Sequence, residues 1–324
     1  MDAIPTIDIA PFLAGDPAGK RAVAGQVAEA CRDIGFLVIA GHGISRATLD
    51  DTFRKSFAFY DLPAATKARW APTGAARQRG YHGVATRSLA ATLGQQTPQD
   101  LRESVFLGPV DDHRAHFAGL PEAATAYAPN ILPDAPSGTA EAFTGIYRAY
   151  ERLSLDLLRI FAVALDLPEE HFTPLMARHF SILGVHHYPA LATPPAPGQL
   201  RAGAHTDFGA MTILAMTEGR GGLEARTPDG SWLPVLPAPG ELVVNLGDMM
   251  QRWTNDRWVS TLHRVVVPDI GDSGSRRLSI GYFVHPDFDA GIECITGPGE
   301  AAKYPPITAG EHIALKIARS HKAA

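Results

Sequence analysis

Ala204-His205-Thr206-Asp207-Phe208, answered by Leu262-His263-Arg264 and then by Arg277-Leu278-Ser279, decides how this chain folds. His205 and Asp207 stand at i and i+2, which on a β-strand places both side chains on one face. Gly203 before them and Met211-Thr212-Ile213-Leu214 after them fit a strand leaving a turn. His263 follows Val259-Ser260-Thr261-Leu262 and precedes Val265-Val266-Val267, a β-branched run expected in a buried strand. Two strands of one barrel would bring the three side chains to a point. Two imidazoles and a carboxylate occupy one face of an octahedral Fe(II) and leave the other positions open. A closed zinc site would call for a fourth protein ligand, usually with cysteines, and no cysteine lies near either histidine. A lone His-x-Asp is more often a surface or capping pair. The strand-embedded His263 and the Arg277/Ser279 pair are what lift it above that background.

Arg277-Leu278-Ser279-Ile280-Gly281-Tyr282-Phe283 alternates, with Arg277, Ser279, Gly281 and Phe283 on one face and Leu278, Ile280, Tyr282 and Val284 on the other. An arginine inside a barrel is costly unless it meets an anion. It makes a bidentate, charge-assisted pair with a carboxylate, and a neighbouring hydroxyl adds a further bond. A 2-oxo diacid fits these residues: its 2-oxo acid end chelates iron, and its far carboxylate meets Arg277 and Ser279. Gly281 leaves room and Phe283 walls the cavity. The alternative is an exposed edge strand with Arg277 in water, the state expected of its neighbour Arg276. Among the other histidines, His113 and His116 sit in a polar segment and read as solvated, and His42, between two glycines, as a turn or core residue.

With their surroundings, these residues resemble the isopenicillin N synthase-like family of 2-oxoglutarate/Fe(II) dioxygenases. The likeness extends to Gly222-Leu223-Glu224, Val243-Val244-Asn245-Leu246-Gly247-Asp248, Arg252-Trp253-Thr254-Asn255-Asp256-Arg257-Trp258, and the N-terminal Ile4-Pro5-Thr6-Ile7-Asp8, Cys31-Arg32-Asp33-Ile34-Gly35-Phe36 and Gly41-His42-Gly43-Ile44. The resemblance implies that His205, Asp207 and His263 bind iron and that Arg277, Ser279 and Tyr188 bind 2-oxoglutarate. His186 stands where the family often has asparagine, and an imidazole there can still donate a hydrogen bond. Candidates for the substrate pocket are Tyr81, whose loop lies in a region that often lines the cavity in this family, Ser104, Phe106, Phe208, Phe283 and Arg87, which as a loop arginine reads first as solvated and otherwise as the partner of a substrate carboxylate. The implied cofactors are Fe(II), 2-oxoglutarate and O2, and the implied reaction is oxidation of a C–H bond, foremost hydroxylation, with release of succinate and CO2. Oxidative cyclisation, desaturation and cosubstrate fragmentation are alternatives within the same fold. A jelly-roll protein that binds a metal or ligand without turnover is the alternative outside catalysis.

Composition sets the bounds. The chain has 324 residues, 45% of them hydrophobic and 19% charged, the balance of a globular protein with room for a large core. A net charge of −5 argues against nucleic-acid binding by a basic face, and the partner that the family resemblance implies is a small-molecule substrate. No apolar run reaches the length of a membrane span, and the acidic start lacks a signal-peptide core. The two cysteines, Cys31 and Cys294, read as free thiols of a reducing cytoplasm. Periodicity predicts helices over residues 18–33, 48–60, 139–167 and 313–319, strands at 36–39 and 103–107, and irregular chain over 71–100. From Ile182 onward, short strands alternate with Gly/Pro turns, the pattern of a double-stranded jelly roll. The expected fold is α+β and mainly β: a double-stranded β-helix (jelly roll) core with N-terminal helices packed around it. Residues 1–175 would form the N-terminal region and residues 176–324 the catalytic core.

Overall fold

A computed structural model describes residues 3–74, 76–86, 88–94, 98–191, 194–217, 222–267 and 276–322. The strands are β1 (Thr6–Asp8), β2 (Phe36–Ala40), β3 (Gly80–His82), β4 (Glu103–Leu107), β5 (Ile182–Tyr188), β6 (Ala202–His205), β7 (Met211–Met216), β8 (Leu223–Arg226), β9 (Trp232–Pro234), β10 (Leu242–Leu246), β11 (His263–Val265), β12 (Arg277–Val284), β13 (Gly291–Ile292) and β14 (Ile307–Thr308). The α-helices are α1 (Ala10–Leu13), α2 (Pro17–Asp33), α3 (Arg46–Tyr60), α4 (Ala64–Lys67), α5 (Thr139–Ala164), α6 (Asp248–Trp253) and α7 (Ala309–Lys322). The larger sheet has eight strands in the order β1-β2-β10-β7-β12-β5-β4-β3, and the smaller has four, β6-β11-β8-β9. Together they form the two layers of a jelly roll. The N-terminal strands flank the C-terminal ones within one sheet, so the chain before residue 175 completes the barrel wall.

The strand period sorts the core in two. On β12, Leu278, Ile280 and Tyr282 are fully buried on the outward face of the larger sheet, where the Tyr147 and Tyr150 rings of α5 meet Tyr282 at 5.1 and 5.9 Å. α5 supplies a buried stripe at helical spacing, Phe143, Ile146, Tyr150, Leu153 and Leu157. A smaller apolar cluster lies between the sheets, with Phe36, Val38, Val243, Leu223 and Val265. Helix ends follow local chemistry. The Asp16 carboxylate accepts from the Gly19 amide at 2.6 Å ahead of Pro17, and Ser45 Oγ caps α3 through the Thr48 amide at 3.1 Å.

Two expectations are corrected. The stretch 71–100 contains β3, which periodicity alone cannot show in three residues. It exists because it pairs with β4, and Gly80 enters it at φ +69°, with the Trp70 carbonyl where a Cβ would stand. The helix expected over 313–319 starts earlier, at Ala309. His42 is a turn histidine: Nδ1 accepts from the Ile44 amide and Nε2 lies 2.8 Å from the Gly240 carbonyl. Among the described residues no helix is long and apolar enough to cross a membrane.

Candidate active site

His205 ends β6 and His263 opens β11, and the two are paired residues of adjacent antiparallel strands in the smaller sheet. Their ring centroids are 4.3 Å apart. His205 Nδ1 donates to the Gly203 carbonyl at 2.7 Å and His263 Nδ1 to the Thr261 carbonyl at 3.0 Å. Each bond fixes the tautomer that leaves Nε2 as a bare lone pair. Both Nε2 atoms face one oxygen of Asp207, Oδ1, at 3.8 and 3.9 Å. Donor atoms that each lie about 2.1 Å from one ion stand at most about 4.2 Å apart, so one ion reaches across both gaps. The other oxygen, Oδ2, is fully engaged: Thr212 Oγ1 donates to it, and Asn245 Nδ2 does so at 2.7 Å. Thr212 and Asn245 are directly paired on β7 and β10 of the larger sheet.

The electrostatics agree with a cation site. Burial, reinforced by His263, holds His205 below the ordinary imidazole range, so it stays neutral. Burial opposes the charge of Asp207, but His263, His205 and the bonds from Thr212 and Asn245 outweigh it, and the carboxyl stays below its usual range. The turn between the ligands is pinned by α6, whose Asp248 and Met249 amides donate to the Asp207 and Gly209 carbonyls at 2.7 and 3.1 Å.

Arg277, Ser279 and Tyr188 form a second group on the inward face of β12 and β5. Arg277 Cζ lies 5.0 Å from the Tyr188 ring centroid, and Ser279 Oγ is 3.5 Å from the Tyr188 hydroxyl. Arg277 is 6% exposed, and burial lowers its pKa. A buried guanidinium with two hydroxyls beside it fits a carboxylate. Sequence reasoning missed Arg201, fully buried with Cζ 5.9 Å from the Tyr188 ring centroid. Arg277 borders a cavity of about 340 Å³ that also meets α3 and residues 235–241.

A larger cavity of about 600 Å³ opens beside this candidate metal site, lined by His205 and Asp207 together with Phe106, Phe208, Phe283 and His186. Ser104 stands behind His186 and shares a 2.8 Å hydrogen bond with its Nδ1. Tyr81 does not join them. It pairs with Val105 across β3 and β4, and paired residues share a face, so it points outward and donates to Glu103 Oε2 at 2.5 Å. Arg87 lies outside the described residues. Arg276 faces outward but is only partly in solvent: it pairs with Asp61 at 2.7 Å, donates to His187 Nε2 at 2.8 Å and lies 4.7 Å from the Phe57 ring centroid. Helix α7 roofs the cavity with Ile313, Ala314 and Ile317. It is tied to the ligand turn by His312 Nε2, which donates to the Phe208 carbonyl at 3.1 Å, and by the Lys316–Asp248 pair.

Comparison with known proteins agrees with this geometry. A profile described as the 2OG-Fe(II) oxygenase superfamily matches residues 179–286, and one described as the N-terminal region of non-haem dioxygenase in morphine synthesis matches residues 4–135. The chain is 34% identical to the 2-oxoglutarate-Fe(II) type oxidoreductase hxnY of Emericella nidulans, over 96% of this chain and 88% of that protein. It is 31% identical to the proline hydroxylase buaE of Petromyces alliaceus, over 92% and 93%. The crystal structure of a full-length Neurospora crassa protein in complex with alpha-KG superposes with a TM-score of 0.84 at 29% identity, covering 97% of this chain and 96% of that one. On a whole-chain match and a donor set suited to ferrous iron, the chain belongs to the 2OG-Fe(II) oxygenase superfamily and is a 2-oxoglutarate-dependent Fe(II) oxygenase.

Proposed function

We propose that this enzyme hydroxylates a C–H bond of a small molecule held in the 600 Å³ cavity, with His205, Asp207 and His263 as the iron ligands. The carrying observation is that both Nε2 atoms converge on Asp207 Oδ1 beside that cavity, which His205 and Asp207 line, while every other polar atom of the three side chains is hydrogen-bonded to the protein. When bound, the iron supplies the activation of O2 that accompanies oxidative decarboxylation of 2-oxoglutarate. The chain's own residues position and exclude. Arg277 and the Ser279 and Tyr188 hydroxyls receive the far carboxylate of the diacid. Phe106, Phe208 and Phe283 enclose the substrate, and α7 keeps water out. A relative named as a proline hydroxylase supports hydroxylation as the outcome. A cytoplasmic setting belongs to the same proposal, since Cys31 and Cys294 are unpaired thiols and a reducing compartment keeps iron ferrous.

The test is a panel of small metabolites scored for succinate release that requires Fe(II), O2 and the added compound. A product heavier by one oxygen atom is expected. A product lighter by two hydrogens would replace hydroxylation with desaturation. Unchanged succinate release by Asp207→Ala would overturn the ligand assignment.

A further inference from the structure

We infer that Arg102 receives a carboxylate of the substrate, so that the preferred substrates are small carboxylic acids with an apolar body. The inference rests on the proposed function and extends it to a substrate class. Arg102 directly precedes β4 and lines the 600 Å³ cavity, which His205 also lines. Its side chain is 12% exposed, and among the described residues its guanidinium has one ionic neighbour, Asp100, at 4.0 Å. That distance is outside hydrogen-bond range. Asp100 is committed elsewhere: Oδ1 accepts from the Gly203 amide at 2.9 Å and Oδ2 from the Leu89 amide at 3.0 Å. Asp100 therefore balances the charge of Arg102 without occupying its fork of donors.

The other arginine on this cavity shows the contrast. Arg79 donates from Nε, Nη1 and Nη2 to the carbonyls of Ala128, Gln78 and Ala126 at 3.3, 3.0 and 2.6 Å. It is a structural cross-link. Among the described residues Arg102 has no such carbonyl acceptors, and a largely buried guanidinium in this state is completed by a carboxylate, which its planar fork binds bidentately. The rest of the cavity takes an apolar body: Phe106, Phe180, Phe208, Phe283, Phe288 and Ile313 dominate its walls. The bordering acids Glu122, Asp289 and Glu311 are exposed, where solvent and salt screen them. Glu311 is also spent on Thr308 at the start of α7.

The test uses the full chain loaded with Fe(II) and 2-oxoglutarate under argon. Phenylacetate, cyclohexanecarboxylate and their primary amides are titrated calorimetrically into wild type, Arg102→Gln and Arg102→Lys, with thermal unfolding as the check on folding. Wild type should prefer each acid to its amide. Arg102→Gln should lose roughly 10- to 100-fold in acid affinity, as expected for a charge-assisted hydrogen bond, with amide affinity little changed. Arg102→Lys should keep the acid preference but bind less tightly, because it cannot form the bidentate pair. Equal binding of acid and amide to wild type, no acid binding, or full acid affinity in Arg102→Gln would each overturn the inference. So would a weakened 2-oxoglutarate affinity in Arg102→Gln with acid binding intact, which would assign the guanidinium to the cosubstrate. A wild type that prefers acids under argon yet releases no succinate with any bound acid once O2 is admitted would overturn the proposed reaction and leave the anchor standing.

Discussion

Asn245→Leu removes one bond from the iron site without touching a ligand. Asn245 is 3% exposed in a strand, Leu242–Leu246, whose other residues are all apolar. Its amide donates to Asp207 Oδ2 at 2.7 Å. Leucine keeps the branched shape and deletes the donor. A hydrogen bond to a charged group contributes about 1.5–3 kcal/mol, and outer partners of metal ligands typically change metal affinity about 10- to 100-fold. Thr212 still holds Oδ2 in the variant, so the carboxylate is loosened rather than released, and a loss of roughly tenfold in Fe(II) affinity is expected. Thr212→Val should behave alike. The double variant should lose more than the sum of the two, because either donor alone can hold the carboxylate in plane. The assay is anaerobic calorimetric titration of Fe(II), with Mn(II) as an air-stable control. Folded Asn245→Leu protein with wild-type metal affinity would refute the claim that Oδ2 is held so that Oδ1 faces the ion.

Glu103→Gln should cost about 3–5 kcal/mol, because it leaves the buried Lys67 ammonium without its counter-charge. That carboxylate accepts from Lys67 Nζ, Tyr81 and His187 Nδ1. Burial opposes the charge of Glu103, but these three bonds hold its pKa below the usual range. Its stabilisation is therefore complete above the ordinary glutamate value of about 4.3 and is lost as pH falls through the lower folded value. Urea unfolding midpoints measured across acid pH should fall less steeply for the variant than for wild type, and parallel curves would contradict this. Gly247→Ala should destabilise by about 1–3 kcal/mol and weaken metal binding, since a Cβ there would stand 2.2 Å from the Gly209 carbonyl oxygen and 2.9 Å from that of Asp207. An unchanged Tm with normal Fe(II) titration would exclude it. Chelation should lower Tm, because a ligand of the folded state present at 100 times its Kd adds about 2.7 kcal/mol, and an identical Tm with and without EDTA would oppose a bound ion.

Much of this was legible in the sequence because period-2 alternation survives into the structure. The segment Arg277–Phe283 announces both faces of β12 before any partner is known, and the outward Leu278, Ile280 and Tyr282 are fully buried against α5. What stayed hidden depends on pairing between distant strands. Tyr81 cannot be assigned a face until its register with Val105 is known. Arg276 shows the right face but not its neighbours: Asp61 and Phe57 come from α3 and its end. Arg201 carries no local signal, whereas Asn245 carries one, a lone amide within Leu-Val-Val-Asn-Leu. A polar side chain in a run so apolar has to be satisfied from across the fold.

His205 and His263 belong to the smaller sheet, while the groups that steer Asp207 belong to the larger one. An ion held by all three is thus a clasp between two layers, and its bite depends on how far apart the layers pack. Phe36, from the larger sheet, meets the His263 ring edge-on at 5.4 Å. Spacer residues of this kind set the metal's affinity from a distance, and a change of volume there would retune the iron while every coordinating atom stayed in place.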